Sequence, residues 1–100
     1  MPIAPETIKI DGQIWNRIQP VERQEQLLLS RHFGNNPSLA ENPIFRGTMA
    51  IYQAENGHRR FYWLSRLESD VAWLHLEFDK LDRFVGMREG SGVPFNESST

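Results

Sequence analysis

The chain has 100 residues and a mass of 11.7 kDa, which at roughly 100–200 residues per domain allows one domain. With 11 Lys and Arg against 13 Asp and Glu, its formal charge is −2 and its pI about 5.9. Hydrophobic residues at 39% and charged residues at 24% fit a folded chain better than a disordered one. There are no cysteines, which excludes a disulfide framework, a thiolate nucleophile and a Cys-ligated zinc site.

The first residues, with Pro2 and Pro5, form a loose leader. They hold neither the basic nor the apolar stretch of a signal peptide. No apolar run approaches the ~20 residues that span a bilayer. An intracellular, cytoplasmic protein with no membrane partner is expected.

Thr7-Ile8-Lys9-Ile10 alternates polar and apolar residues and reads as a short strand. Asp11-Gly12 is either a type I′ turn into Gln13-Ile14-Trp15 or the cap of a helical turn carrying Ile14 and Ile18, and the strand-and-turn reading is preferred. A helix is predicted over 20–33. Pro20 suits its first turn, Glu22 and Glu25 lie at the start, Arg31 and His32 at the end, and Gly34 is the expected cap.

Residues 48–64 read as a β-hairpin around Asn56-Gly57. A two-residue turn there sets Tyr52 opposite Phe61, Ala50 opposite Trp63, Ile51 opposite Tyr62 and Gln53 opposite Arg60. Leu64, Leu67, Val71, Leu74, Phe78, Leu81 and Val85 then step by threes and fours, the spacing of a helix face. Ser65 and Glu68 stand as a capping box. A second helix over 66–85 follows, with residues 89–100 as a flexible tail beyond a domain of 1–88. The fold class expected is α+β: a small antiparallel sheet built on the hairpin, with two helices on one face.

On that predicted helix Trp73, Leu76 and Phe84 lie off the main stripe, so they form a second apolar face that needs a cover. The cover is either helix 20–33 or a partner. Charge is also polarised. Residues 46–66 carry Arg46, Arg59, Arg60 and Arg66 against Glu55 alone, whereas residues 67–82 carry five acids against Lys80.

The leading expectation is a non-enzymatic protein–protein interaction or accessory protein, self-associating through the long C-terminal helix. Trp73, Leu76 and Phe84 are its apolar anchors and Arg59, Arg60 and Arg66 its charged rim. The alternative is a nucleic-acid-binding regulator contacting phosphates and bases through Arg46, Tyr52, Arg59 and Arg60. A pI well under 9 weighs against it, and the arginines can instead pair with nearby acids.

Catalytic and metal chemistry find little footing. His32, His58 and His75 have no helical metal spacing among them. His75 and Asp79 stand four apart, which on a helix is more often a surface ion pair than a general base with its orienting group. No phosphate-binding glycine loop or nucleophile elbow is present. No catalytic residue, metal or cofactor is therefore assigned.

Overall fold

The computed structural model describes residues 5–67 and 70–92. Strands β1 (Thr7–Ile10) and β2 (Gln13–Ile18) form the first hairpin. Asp11 and Gly12 both take positive φ, 51° and 81°, as a type I′ turn requires. Helix α1 (Arg23–Asn35) follows, then two short 3₁₀ turns, Leu39–Glu41 and Pro43–Arg46. Strands β3 (Thr48–Ala54), β4 (Arg59–Leu67), β5 (Asp70–Phe78) and β6 (Phe84–Ser91) complete the chain. The six strands form one antiparallel sheet in sequence order, curled into a half-barrel. The class is α+β, with one α-helix rather than two among the described residues.

The predicted helix 66–85 is the main correction. Its span is occupied by the end of β4, all of β5 and the start of β6. The stepping by threes and fours arises because β5 buries side chains on both faces, which turns alternation into a near-continuous apolar run. Leu74, Leu76 and Phe78 point to the helix-bearing side, while Trp73 and His75 are buried on the other. Leu81 and Val85, the last two members of the supposed stripe, are exposed. Ser65 of the supposed capping box lies within β4, and Glu68 is outside the described residues.

The predicted first helix exists, shifted to Arg23–Asn35. The peptide bond between Gln19 and Pro20 is cis, and Pro20 precedes the helix rather than opening it. Glu22 takes the cap position, and its N–H donates to Glu25 Oε1 at 3.0 Å. Gly34 is helical. The end is closed by Asn36, whose N–H donates to the Phe33 carbonyl and whose Nδ2 donates to the His32 carbonyl at 2.8 Å.

The hairpin 48–64 is present, one residue out of the expected register. Ile51 opposes Phe61, Tyr52 opposes Arg60, Ala50 opposes Tyr62 and Gln53 opposes Arg59. The turn uses three residues, Glu55, Asn56 and Gly57, with Ala54 bonded to His58 across it and the Gly57 N–H donating to Ala54. Only Gly57 has positive φ there, 90°, where a two-residue type I′ turn needs it at both centres.

Two clusters form the core, one on each side of the sheet. On the helix side Leu28 and Leu29 of α1 meet Ile51, Phe61, Trp63, Leu74, Leu76 and Phe78. Phe33 and Phe45 add edge-to-face contacts to Trp63 and to each other. On the opposite side the curl gathers Ile8, Ile10 and Trp15 with Ala50, Tyr52, Ala54 and Tyr62. The Tyr52 hydroxyl donates to the Pro5 carbonyl at 2.5 Å, so the chain two residues before β1 is held against β3. Glu89, Gly90 and Ser91, expected in the tail, are the end of β6. Residues 93–100 lie outside the described residues.

Candidate functional site

Neighbouring residues on a strand point to opposite faces, and this sorts the arginines of the hairpin. Arg59 turns to the helix side and is buried. Its Nη1 donates to Glu25 Oε2 at 2.8 Å and its Nη2 to Asp82 Oδ1. One guanidinium thus ties α1, β4 and the β5–β6 turn together, and Glu25, which also accepts from the Glu22 N–H, has both carboxylate oxygens occupied.

Arg60 turns to the other side. Its Nε donates to Glu77 Oε1 at 2.8 Å, its Nη1 to the Tyr62 hydroxyl at 3.1 Å, and it lies 4.8 Å from the centroid of the Trp15 ring. Glu77 Oε2 meets His58 Nδ1 at 2.8 Å. Burial pushes the Glu77 carboxyl upward, but the hydrogen bonds and charges of His58 and Arg60 outweigh it and hold the group below its ordinary value. Two arginines of the basic hairpin, Arg59 and Arg60, are therefore paired with Asp82 and Glu77 of the acidic segment after it.

His75 lies in the same face as Arg60 and is almost fully buried. Trp73 stacks on it at 5.9 Å and Tyr62 lies 4.9 Å away. Among the described residues its Nδ1 has no hydrogen-bond partner. Burial, with the charges of Arg60 and Arg88, pushes its pKa down to about 4 against the pull of Glu77. The pairing of His75 with Asp79 on a helix does not exist: Asp79 belongs to the β5–β6 turn, where Oδ1 accepts from the N–H groups of Leu81 and Arg83. Among the described residues no group of three His, Asp or Glu could hold a metal ion, and no helix is long and apolar enough to cross a membrane.

The residues expected to meet a partner are therefore divided. Trp73 is buried on β5 and Leu76 is fully buried in the helix-side core, so neither is an exposed anchor. Arg66 pairs through its backbone with Val71, and its side chain lies outside the described set. Of the four groups expected at nucleic acid, Tyr52 and Arg59 are buried and Arg60 is engaged with Glu77, Tyr62 and Trp15. Only Arg46, at the end of a 3₁₀ turn, is exposed. Phe84 alone among the predicted anchors presents a large apolar surface, 49% exposed.

Phe84 is not isolated. Leu81, Val85 and Met87 are 64%, 52% and 45% exposed, so the turn into β6 and the first half of that strand form one apolar edge. The His32 ring packs 4.7 Å from Phe84 and 5.3 Å from Phe78, and burial there lowers its pKa. His32, Asn36, Ser38, Leu39, Phe84 and Met87 line a groove of about 450 Å³ beside the edge.

Among the described residues β6 pairs only with β5, and β1 only with β2. These two free edges differ. β1 has four residues and exposes Thr7 and Lys9, whereas β6 has eight and is exposed along nearly its whole length. Shortness, lysine and bulges are the usual protections against strand addition. β6 has eight residues and no lysine, and its irregularity is a bulge at Val85, which has no partner on β5 between the pairs Phe78–Phe84 and Glu77–Gly86.

Sequence reasoning missed Val85, Met87 and the groove around His32. Its signal was the two-residue alternation Leu74, Leu76, Phe78 followed by Asp79-Lys80-Leu81-Asp82, which marks a strand and a turn where a helix was drawn. No protein-family model matches this chain, and neither a curated protein nor a solved structure is significantly similar to it. What the fold and the edges define is a class: a small α+β protein whose free sheet edges, among the described residues, are the short β1 and the long β6.

Proposed function

We propose that this protein is a small, non-enzymatic interaction or accessory protein that engages its partner through the β6 edge. The observation that supports this reading is the set of exposed apolar side chains Leu81, in the β5–β6 turn, and Phe84, Val85 and Met87 along β6. Contiguous apolar patches on soluble proteins usually mark contact sites, and a free edge adds a row of backbone donors and acceptors that another strand can meet. The arginines of the hairpin act as internal ties in this reading, because their partners Glu25, Glu77 and Asp82 are supplied by the same chain.

A photo-crosslinking residue placed at position 85, with a matched control at position 9 on β1, tests it. Adducts with a protein, either a second copy or another chain, are expected at 85 in the purified protein or in lysate. No adduct above the level at position 9 in either setting rules the reading out.

A further inference from the structure

We infer that the occupant of the β6 edge is β6 of a second copy of this chain, paired antiparallel about a two-fold axis normal to the sheet. Two six-stranded sheets then join into one. This rests on the interaction reading above and names its partner.

Beyond the bulge at Val85, from Gly86 to Ser91, the outer N–H and C=O groups of β6 repeat at the spacing of extended chain, so another strand satisfies them best. A two-fold axis normal to the sheet keeps the helix-bearing faces of both copies on one side. Phe84 and Met87 oppose Phe78 and Leu76 of β5 and so lie on that face. Across the seam, each copy sets these side chains on the side where the other opens its groove of His32, Leu39, Phe84 and Met87. The strand that needs an apolar cover is also the strand that carries one.

Charge and shape agree with self-pairing. β6 carries one cation, Arg88, and one anion, Glu89, so the strand has no net charge to set against its copy. The side-chain position of Gly86 opens onto free space, which leaves the backbone approachable in the middle of the apolar stretch. Pairing of β6 with β1 of the next molecule would propagate head to tail, and the short, Lys9-bearing β1 opposes it. The β6–β6 arrangement instead closes as a dimer.

Sedimentation equilibrium at about 100 µM, where a dissociation constant in the micromolar range gives mostly dimer, is the first arm. Val85→Lys and, independently, Met87→Lys are expected to weaken the dimer by about tenfold or more, with Lys9→Glu unchanged. Circular dichroism confirms that each variant folds.

The second arm uses the absence of cysteine. Single cysteines are placed at each position from 85 to 90 and at 9, and disulfide formation between copies is measured. Around a two-fold axis only the residue at the axis lies within bonding reach of its own copy. One maximum within β6, falling off on both sides, and none at position 9 is the expected result.

A dimer without a maximum in β6 overturns the inference. A wild-type monomer at this concentration also overturns it. If the crosslinker at 85 then still captures another protein, the interaction reading survives with a different occupant; if it captures nothing, both fail.

Discussion

The two faces of the sheet solve the same problem by different means. The helix-bearing face is covered by α1 and the Pro43–Arg46 turn, and its cluster is entirely apolar, from Leu28 to Phe78. The other face has no helix over it. It is closed by the curl of β1 and β2, and it mixes rings with polar groups: Tyr52, Tyr62, Trp15 and Trp73 beside Arg60, Glu77 and His75. Apolar packing dominates the first face, beside the buried Arg59–Glu25 pair, whereas the second sets more of its hydrogen bonds and charges inside an aromatic setting.

Substitutions that act on one face at a time can break or sharpen that contrast. The largest effect belongs to the helix side. Leu74→Ala is expected to lower stability by about 2–5 kcal/mol in urea unfolding, because the rigid cluster around it leaves a cavity. A loss under 1 kcal/mol would mean that the two faces are packed alike.

On the opposite face, His75 makes stability depend on acid. It is neutral in the folded protein with a pKa near 4 and regains a pKa of about 6.5 when unfolded. The unfolded chain therefore binds the extra proton, and this contribution is full above pH 6.5 and lost as pH falls toward 4. The loss amounts to about 3 kcal/mol, since each pKa unit is worth about 1.4 kcal/mol. Thermal unfolding followed across that range should show it, and His75→Leu should flatten the dependence on acid; an unchanged slope would place the titration elsewhere.

Glu25→Gln probes the buried ion pair of the helix face, where a charge-assisted bond to Arg59 becomes a neutral one. Asp82 still holds the guanidinium, so a loss of about 1.5–3 kcal/mol is expected. Smallest is Arg60→Lys, which gives up the planar guanidinium above Trp15 for about 0.5–2 kcal/mol. Denaturant midpoints of the two variants should fall in that order, and the reverse order would make Arg60 the more important tie.

Much of the first two-thirds of the fold was legible because local chemistry and tertiary packing agree there. Asp11-Gly12 meets the demands of a type I′ turn, and the alternation of Thr7 to Ile10 matches a strand with one face buried. The acidic start and basic end of α1 mark a helix, although its cap moved from Gly34 to Asn36.

The register of the β3–β4 hairpin was not legible. Asn56-Gly57 can close a two-residue or a three-residue turn, and the second choice moves every cross-strand partner by one. The C-terminal half was misread for a different reason. A strand buried on both faces loses the simple alternation that identifies strands, and a stride of three or four through it then mimics a helix. The candidate site shared that fate: Phe84 was found, while Val85 and Met87 emerge only once β6 is known to be an edge.

The sequence-ordered sheet carries a further consequence for how the molecule assembles. Every strand pairs with its neighbour in the chain, and the one long closure is the connection of residues 19–47 that carries α1 between β2 and β3. Closing a long loop costs more chain entropy than forming adjacent hairpins, and topologies dominated by near neighbours fold quickly. The β3–β6 meander is thus the part expected to form first, with β1 and β2 arriving after the helix has docked. In a newly made chain β3 would then stand as a second temporary edge, and its burial by β2 leaves β6 as the long edge open to another molecule among the described residues.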